Sequence, residues 1–208
     1  MNYLFFDIEC ADGQRMCSFG YVLVDEKFNI LSKEDILINP KCQFRLGRNK
    51  FDPNIELAYP ESEFKKHKVF PCYYDKIKDL IQNKDTVSCG HSVQSDMGFI
   101  RFACNRYSMD LIEYKAFDTQ RAFALSREPH RNRALHTIIE ELDIDISHLH
   151  EHKSCDDAEL TMLVAKKLCE TENCSFSELM EKYNSAFFEL KKGEEKNDAA
   201  TKKFGRVS

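Results

Sequence analysis

The sequence lacks the patterns that mark membrane, exported and disulfide-linked proteins. No run of about 18 apolar residues occurs, and no basic segment leads into an apolar core at the N-terminus, which argues against a membrane span and a signal peptide. The nine cysteines are scattered without a CxxC pair, so neither a zinc ribbon nor a redox motif is indicated. Several of them sit within apolar patterns, as buried free thiols do. A reducing, cytoplasmic location is therefore the expectation.

An excess of positive charge is also missing. The 30 Lys and Arg against 35 Asp and Glu give a formal net charge of -5, which is unusual for a protein that holds nucleic acid on a broad basic surface. A local basic rim around an acidic, metal-filled site stays compatible with that charge. Glycine and proline are few, at 7 and 5, and 42% of the residues are hydrophobic. The 208-residue chain is therefore expected to form one globular domain with a substantial core.

The most informative stretch is residues 1–10, an apolar run in which Asp7 and Glu9 are set two residues apart. Side chains alternate along a strand, so Phe5, Asp7 and Glu9 share one face. A strand that is apolar on both faces is normally buried, and buried carboxylates need a basic partner or a metal ion. The simpler alternative is that Asp7 only ends a strand and Glu9 begins a loop.

Two further apolar runs, at 16–24 and 28–40, predict an antiparallel three-strand meander with the first strand. Residues 41–72 lack periodicity and are expected to form a long loop with short helical turns. Cations and aromatics alternate in this loop, which fits either a nucleic-acid-binding rim or a solvated loop pinned by its aromatics. The cations are Arg45, Arg48, Lys50, Lys65, Lys66 and Lys68, and the aromatics are Phe44, Phe51, Tyr59 and Phe64.

The second half of the chain alternates short strands with helices. Strands are predicted near 86–89 and 117–119, and helices near 73–82, 93–107, 122–125, 135–142 and 156–168. Asp96 precedes the apolar residues Phe99, Ile100 and Ala103 at helical spacing, so its side chain is predicted to lie on the buried face. Asp118 is expected to cap the helix that follows it.

The last strong helix has two adjacent acids at its start. Apolar or neutral residues follow Asp157 at plus three, four, seven and eleven, so Asp157 is predicted to face inward. Asp156 is predicted to cap the helix or to be exposed. Residues 1–172 are expected to form the functional domain, and 173–208 a C-terminal part with an amphipathic helix over 176–190 and a frayed, charged tail after Lys191.

Four acids are thus predicted to point inward: Asp7, Glu9, Asp96 and Asp157. Clustered carboxylates repel one another unless cations neutralise them, and hard oxygen ligands suit Mg²⁺ or Mn²⁺. Two such ions about 4 Å apart are the usual apparatus for in-line attack on phosphodiesters. His152, five residues before Asp157, can take a proton from an attacking water near neutral pH.

Three segments resemble, in order, the exonuclease motifs of the DEDDh family: FDIE at 6–9, GHSVQSDMGFI at 90–100 and HKSCDDA at 152–158. These are proofreading-type 3′-to-5′ exonucleases akin to the epsilon subunit of bacterial DNA polymerase III and to ribonuclease T. The resemblance implies an α/β, ribonuclease H-like fold, with an antiparallel three-strand meander plus parallel strands, flanked by helices. It also implies that two Mg²⁺ or Mn²⁺ ions bind to Asp7, Glu9, Asp96 and Asp157, and that His152 is the general base.

The expected function is metal-dependent removal of nucleotides from the 3′ end of single-stranded DNA or RNA. A polymerase or a repair protein is a further expected partner, and the sequence does not separate DNA from RNA. The alternative is a catalytically silent module with the same fold that binds nucleic acid or docks a protein.

The chain departs from the family pattern in three places. Cys10-Ala11-Asp12 stands where members often have Thr-Thr-Gly, and Ser92 stands where Asn is frequent. His148 and His150 compete with His152 for the role of base, and a spacing of five residues to Asp157 favours His152. A spacing of four, typical of the tyrosine-bearing subgroup, would pair His152 with Asp156 instead.

Overall fold

A computed structural model of the chain describes residues 1–45 and 56–192. Six strands form one mixed sheet in the order β3-β2-β1-β4-β5-β6, and helices cover both of its faces. The strands are β1 (Asn2–Cys10), β2 (Met16–Val24), β3 (Ile30–Leu37), β4 (Thr86–Gly90), β5 (Tyr114–Asp118) and β6 (Phe187–Leu190). The helices are α1 (Glu61–Phe64), α2 (Tyr74–Ile81), α3 (Val93–Arg106), α4 (Thr119–Leu125), α5 (Leu135–Glu141), α6 (Ser154–Glu172) and α7 (Phe176–Lys182). Single 3₁₀ turns occupy Phe70–Cys72 and Asn184–Ala186.

β1 lies in the middle of the sheet because it is apolar on both faces. It pairs antiparallel with β2 and parallel with β4, and both Phe5 and Phe6 are fully buried. β2 in turn pairs antiparallel with β3, so the predicted meander is confirmed. β4 and β5 add the parallel strands, which confirms the mixed sheet.

The two faces of β1 belong to two hydrophobic cores. Phe5 contributes to the core under α4, α5, α6 and α7, whereas Phe6 contributes to the core under α2 and α3. α6 is the longest helix, with 19 residues, and it lies against β1 and β2 with most of its length buried. In the part of the chain that the structure describes, no helix is both long and apolar enough to span a membrane.

The predicted helix over 176–190 is wrong in its second half. α7 begins with a capping box between Ser175 and Glu178 and ends at Lys182. The following Phe187–Leu190 segment instead forms β6, antiparallel to β5, and the Phe187 ring packs on Phe117 at 5.1 Å between centroids. Pairing with β5 therefore overrides the local helical pattern. The division after residue 172 stays a prediction, and residues 193–208 lie outside the described ranges.

The loop predicted over 41–72 contains only α1 and one 3₁₀ turn in its described parts, as expected. Phe64 is fully buried, and the rings of Phe44 and Tyr59 pack on it with centroids 5.3 and 6.1 Å away. These residues fit a loop pinned by its aromatics. The predictions for Arg48, Lys50 and Phe51 lie outside the described residues.

Candidate active site

Asp7 and Glu9 point to the same side of the sheet from within a strand. β1 continues to Cys10, so the alternative in which Asp7 ends a strand is wrong. Asp7 lies opposite Gly20 of β2, and Glu9 lies opposite Ser18. The pairing register shifts between Glu9 and Cys10, which marks an irregularity in the strand directly beside the acids.

Gly20 allows the start of α6 to reach these acids. A Cβ built on Gly20 would lie 2.0 Å from the backbone nitrogen of Cys155 and 2.0 Å from the carbonyl carbon of Ser154. No side chain fits in that space, so only glycine lets the first turn of α6 rest on β2 at this point. Since Gly20 pairs with Asp7, the contact brings Asp157 close to the acids of β1.

The loop before α6 carries His152 in a left-handed backbone conformation, with φ of 58°. Its amide N–H donates to Asp157 Oδ2 at 3.0 Å, and its carbonyl oxygen accepts from the Ala58 N–H at 3.1 Å. Its ring Nδ1 lies 3.6 Å from Glu9 Oε1. His152 is thus attached by its backbone to one predicted site acid and by its ring to another.

Glu9, His152 and Asp157 form a group of the kind that holds metal ions. Each offers one ligand atom, and these atoms lie within 4.8 Å of one another. Of the three histidines that competed for a role, His152 is the one in this group; His148 lies instead near Glu159.

Asp96 approaches from α3, on the opposite face of the sheet. Its side chain is 4% exposed, as the helical spacing predicted, and its Oδ2 has no hydrogen-bond partner among the described residues. The backbone of Ile8 lies close to this carboxylate and partly opposes the rise in its pKa, so Asp96 lies near the end of β1. A buried carboxylate oxygen without a donor is a feature that a divalent cation would satisfy.

Asp118 fixes the helix that carries Asp96. Its carboxylate accepts from the N–H groups of Ser92 and Val93 at the start of α3, at 3.1 and 3.0 Å, and from the Arg121 N–H of α4 at 3.1 Å. The prediction that Asp118 is a cap is therefore confirmed, and it caps two helices. Ser92, which stands where Asn is frequent, has a left-handed φ of 61°, a conformation that Asn adopts more readily.

The cluster is electrostatically unbalanced. Burial and the carboxylates of Asp96, Glu9 and Asp157 raise the pKa of Asp7 well above its usual range. Burial and Glu9 raise the pKa of Asp157 to about 7, although His152 opposes the shift. Over residues 1–45 and 56–192, no lysine or arginine forms an ion pair with any of these four acids. The donor set and the missing positive charge fit divalent metal ions.

The prediction that Asp156 is a cap or exposed is wrong. Its side chain is 2% exposed and forms an ion pair with Lys33 of β3, which also pairs with Glu159 at 2.6 Å. Helical spacing identified Asp157 as an inward acid, but the side chain of Asp156 also turns inward, towards the partly buried Lys33. That partner lies 123 residues earlier in the chain, so no local pattern could indicate it.

A cavity of about 330 Å³ opens beside the cluster. Asp7, Glu9, His152 and Asp157 form its polar side. The remaining lining residues are Ile8, His91, Leu135, His136, Ile139, Glu151 and Leu160. With cations bound to its acids, such a cavity can hold the anionic backbone of a nucleotide, while the apolar lining residues contact a base.

The sequence assigned no role to His91, although it lies in the second motif. Its Nε2 lies 3.2 Å from the Arg133 carbonyl oxygen, and its Nδ1 lies 3.1 Å from Thr119 Oγ1. Burial lowers the pKa of His91 to about 4, so the ring is neutral at neutral pH. A carbonyl only accepts, so Nε2 carries the proton. His91 therefore connects the second motif to the segment before α5.

Comparisons with known proteins were made for both sequence and fold. No protein-family model matches the chain. Over 84 residues, 40% of this chain, the sequence is 31% identical to the DNA polymerase III PolC-type of Latilactobacillus sakei subsp. sakei (strain 23K). The match covers 6% of that protein, so the chain spans only a small part of this relative's length.

Two solved nucleases share the fold. The nuclease domain of 3′hExo, a DEDDh family member solved bound to rAMP, superimposes with a TM-score of 0.67 at 15% identity, covering 83% of this chain and 93% of that one. E. coli Exonuclease I in complex with a dA16 oligonucleotide gives 0.66 at 16% identity, covering 87% of this chain and 42% of that one. The chain thus has the ribonuclease H-like fold of the DEDDh 3′-exonucleases, as its three motifs predicted.

Proposed function

We propose that the chain is a metal-dependent 3′-to-5′ exonuclease that hydrolyses phosphodiester bonds at the 3′ end of DNA or RNA. Asp7, Glu9, Asp96 and Asp157 are the proposed ligands of two Mg²⁺ or Mn²⁺ ions, and His152 is the proposed general base. One observation carries the proposal: separate elements bring Asp7, Glu9, His152 and Asp157 to one cavity, and the described residues supply no lysine or arginine to neutralise these acids. Asp96 does not line the cavity, but its carboxylate lies close enough to raise the pKa of Asp7.

The protein's own groups have distinct tasks in this reaction. His152 Nδ1 faces Glu9, which leaves Nε2 to accept a proton from the attacking water. Contact with Glu9 raises the pKa of His152, so Glu9 stabilises the imidazolium that this transfer creates. The bound divalent ions would neutralise the carboxylates and stabilise charge on the phosphodiester.

The cavity and the two nucleases of the same fold support the proposed substrate class. The apolar side chains Ile8, Leu135 and Leu160 lie beside the acids, where a terminal base can pack. The two nucleases of the same fold were solved with rAMP and with dA16, so single-stranded nucleic acid with a free 3′ end is the proposed substrate. The nine cysteines are free, which supports a reducing, cytoplasmic location. The PolC-type relative supports a polymerase as a candidate partner.

The test is gel-resolved digestion of 5′-labelled single-stranded DNA and RNA of matched sequence, with Mn²⁺, with Mg²⁺ and with a chelator. The wild type is expected to shorten at least one polymer from its 3′ end only with metal. Asp7→Ala is expected to abolish shortening. Asp79→Asn removes an exposed acid on α2 and serves as the matched control, with wild-type activity.

Retained cleavage in Asp7→Ala or in the chelator would contradict the proposed metal site. Binding of both polymers without any shortening would favour the silent nucleic-acid-binding module instead. His152→Ala is expected to slow cleavage by about 100-fold or more while preserving metal binding.

A further inference from the structure

Three hydrogen-bonded polar residues, Ser18, Asp35 and Ser154, lie at the first turn of α6, and none of them is a proposed metal ligand. Ser154 Oγ donates to Asp35 Oδ1 at 2.5 Å, and it lies 2.7 Å from Ser18 Oγ. Ser18 is 2% exposed and Ser154 is 1% exposed, so these hydroxyls have little access to water. Buried polar groups of this kind lose stability if one partner is removed, which makes the arrangement specific.

Asp35 accepts a capping hydrogen bond at the start of α6, because the N-cap residue of that helix makes none with its side chain. Lys153, at the N-cap of α6, makes no side-chain capping bond. Asp35 Oδ1 instead accepts from the Cys155 N–H at 3.1 Å, although Asp35 belongs to β3. A carboxylate at a helix N-terminus satisfies an unpaired N–H and interacts favourably with the helix dipole.

The strands align this cap with the site. Gly20 of β2 pairs with Asp7 on one side and with Asp35 on the other, so the three residues form a row across the sheet. Paired residues in neighbouring strands point to the same face, which here is the face covered by α6. The first turn of α6 therefore rests on Gly20, with a site acid on one side and its cap on the other.

Two proposed site groups depend on this turn. Asp157 lies within it, and the His152 N–H donates to Asp157 Oδ2. Residues 58 and 59 form a second connection between Asp35 and His152. The Ala58 N–H donates to the His152 carbonyl oxygen, and the side chain of the next residue, Tyr59, lies beside Asp35. A displaced turn would move the ligand and the base together.

We propose that Asp35 is a positioning residue of the nuclease site: with Ser18 and Ser154 it holds the first turn of α6 on Gly20, and so keeps Asp157 and His152 against Glu9. This inference rests on the proposed nuclease function. Asp35 acts by accepting hydrogen bonds. Its Oδ1 serves two donors, whereas its Oδ2 is buried without a hydrogen-bond partner among the described residues, so the variants below must separate a positioning role from that of a metal ligand.

Asn and Ala at position 35 separate the two roles. The amide oxygen of Asn can accept both hydrogen bonds, so Asp35→Asn is expected to keep kcat and the Mn²⁺ requirement within about threefold of wild type. Asp35→Ala is expected to lower kcat by about tenfold or more with little change in KM, because a misplaced base and ligand affect the chemical step. It should also raise the Mn²⁺ concentration for half-maximal stabilisation about tenfold, which thermal shift measures without any substrate.

Ser175→Ala is the matched control, since it removes the N-cap of α7, outside the residues that line the cavity. It is expected to lower the melting temperature without changing kcat or the Mn²⁺ requirement. If Asp35→Ala fails to fold, Ser154→Ala removes one hydroxyl of the same group and should shift both readouts in the same direction, by less.

Two results would overturn the inference. Wild-type kcat and Mn²⁺ requirement in Asp35→Ala would leave Asp35 only a stabilising residue. If Asp35→Asn and Asp35→Ala changed kcat and the Mn²⁺ requirement equally, the negative charge of Asp35 would be what matters, as it is in a metal ligand. Failure of the wild type to cleave would contradict the proposed function instead, and the Mn²⁺ thermal shift would still test the positioning role.

Discussion

Two neighbouring carboxylates at the start of α6 lie in opposite electrostatic surroundings. Asp156 is paired with Lys33, and although burial alone would raise its pKa, Lys33 and the His150 N–H lower it overall. Asp157 faces Glu9, and its pKa rises to about 7. The first cluster, Asp156 and Glu159 with Lys33, contains its own cation, so it stabilises the fold. The second cluster, the site acids Asp7, Glu9, Asp96 and Asp157, contains no lysine or arginine. This is the arrangement of a site that binds a cation from solution.

Asp118 shows a third way to bury a carboxylate. It is 3% exposed and has no lysine partner among the described contacts, but three backbone N–H groups donate to it. Burial still raises its pKa, and these donors oppose the shift. The three acids therefore differ in their partners: Asp156 has a lysine, Asp118 has three backbone donors, and Asp157 has one backbone donor and faces another carboxylate.

The largest effect is expected from removing the cation of the first cluster. Lys33→Met removes the cation that Asp156 and Glu159 share and leaves Asp156 only the more distant Lys153, at 3.3 Å, so the free energy of unfolding should fall by about 3 kcal/mol in urea denaturation. Lys76→Met is the control, because its partner Glu34 is largely exposed and the change should stay below about 1 kcal/mol. Equal losses in the two variants would mean that burial of the Lys33 cluster is energetically unimportant.

Supplying a cation to the second cluster should have a slightly smaller effect. At a Mn²⁺ concentration 100 times its Kd, the wild type should gain about 2.7 kcal/mol, measured as a rise in melting temperature. Asp7→Asn is expected to lose this gain, whereas Asp79→Asn should retain it. A metal-independent melting temperature in the wild type would contradict the contrast between the clusters.

Without metal, the two clusters should respond to pH in opposite directions. The native pKa of Asp157 is about 7, above its ordinary value near 3.8, so the native state binds more protons between these values. Stability should therefore fall as pH rises from about 4 to 7, by at most about 1.4 kcal/mol per pH unit for each proton. Asp157→Asn should flatten that slope. Asp156, with its lowered pKa, loses its contribution only as pH falls below 4.

A smaller effect is expected at the carboxylate that backbone donors satisfy. Asp118→Asn keeps one accepting oxygen but turns an NH₂ group towards an N–H of α3 or α4, so the free energy of unfolding should fall by about 1 kcal/mol. Chemical denaturation in a chelator measures this without interference from metal. A loss as large as that of Lys33→Met would place Asp118 in the same class as Asp156.

The local patterns predicted the parts of the site that depend on alternation or helical spacing. Period two along β1 put Asp7 and Glu9 on one face, and helical spacing put Asp96 inward. The same spacing misjudged Asp156, because its partner Lys33 is remote in sequence. Asp35 was missed for the same reason: it caps a helix that begins 119 residues later.

The fold prediction was correct for elements that are determined by their own residues. It failed for an element that is determined by pairing with a distant strand. β1 and β2 carry continuous apolar runs that read as strands without any context. Phe187–Leu190 is short, with an ordinary helical pattern before it, and becomes a strand only because β5 offers an unpaired edge. Long-range pairing of this kind leaves no periodicity in the sequence.

The contact between Gly20 and the start of α6 also bears on the order of folding. Ser18 and Ser154 are 136 residues apart, so the contact closes a long loop, and long loops are expected to close late. During synthesis the strands that carry Asp7 and Glu9 are made well before α6. A chain synthesised up to α5 therefore has three of the four acids, Asp7, Glu9 and Asp96, but not the base, and we expect it to have no nuclease activity until α6 docks.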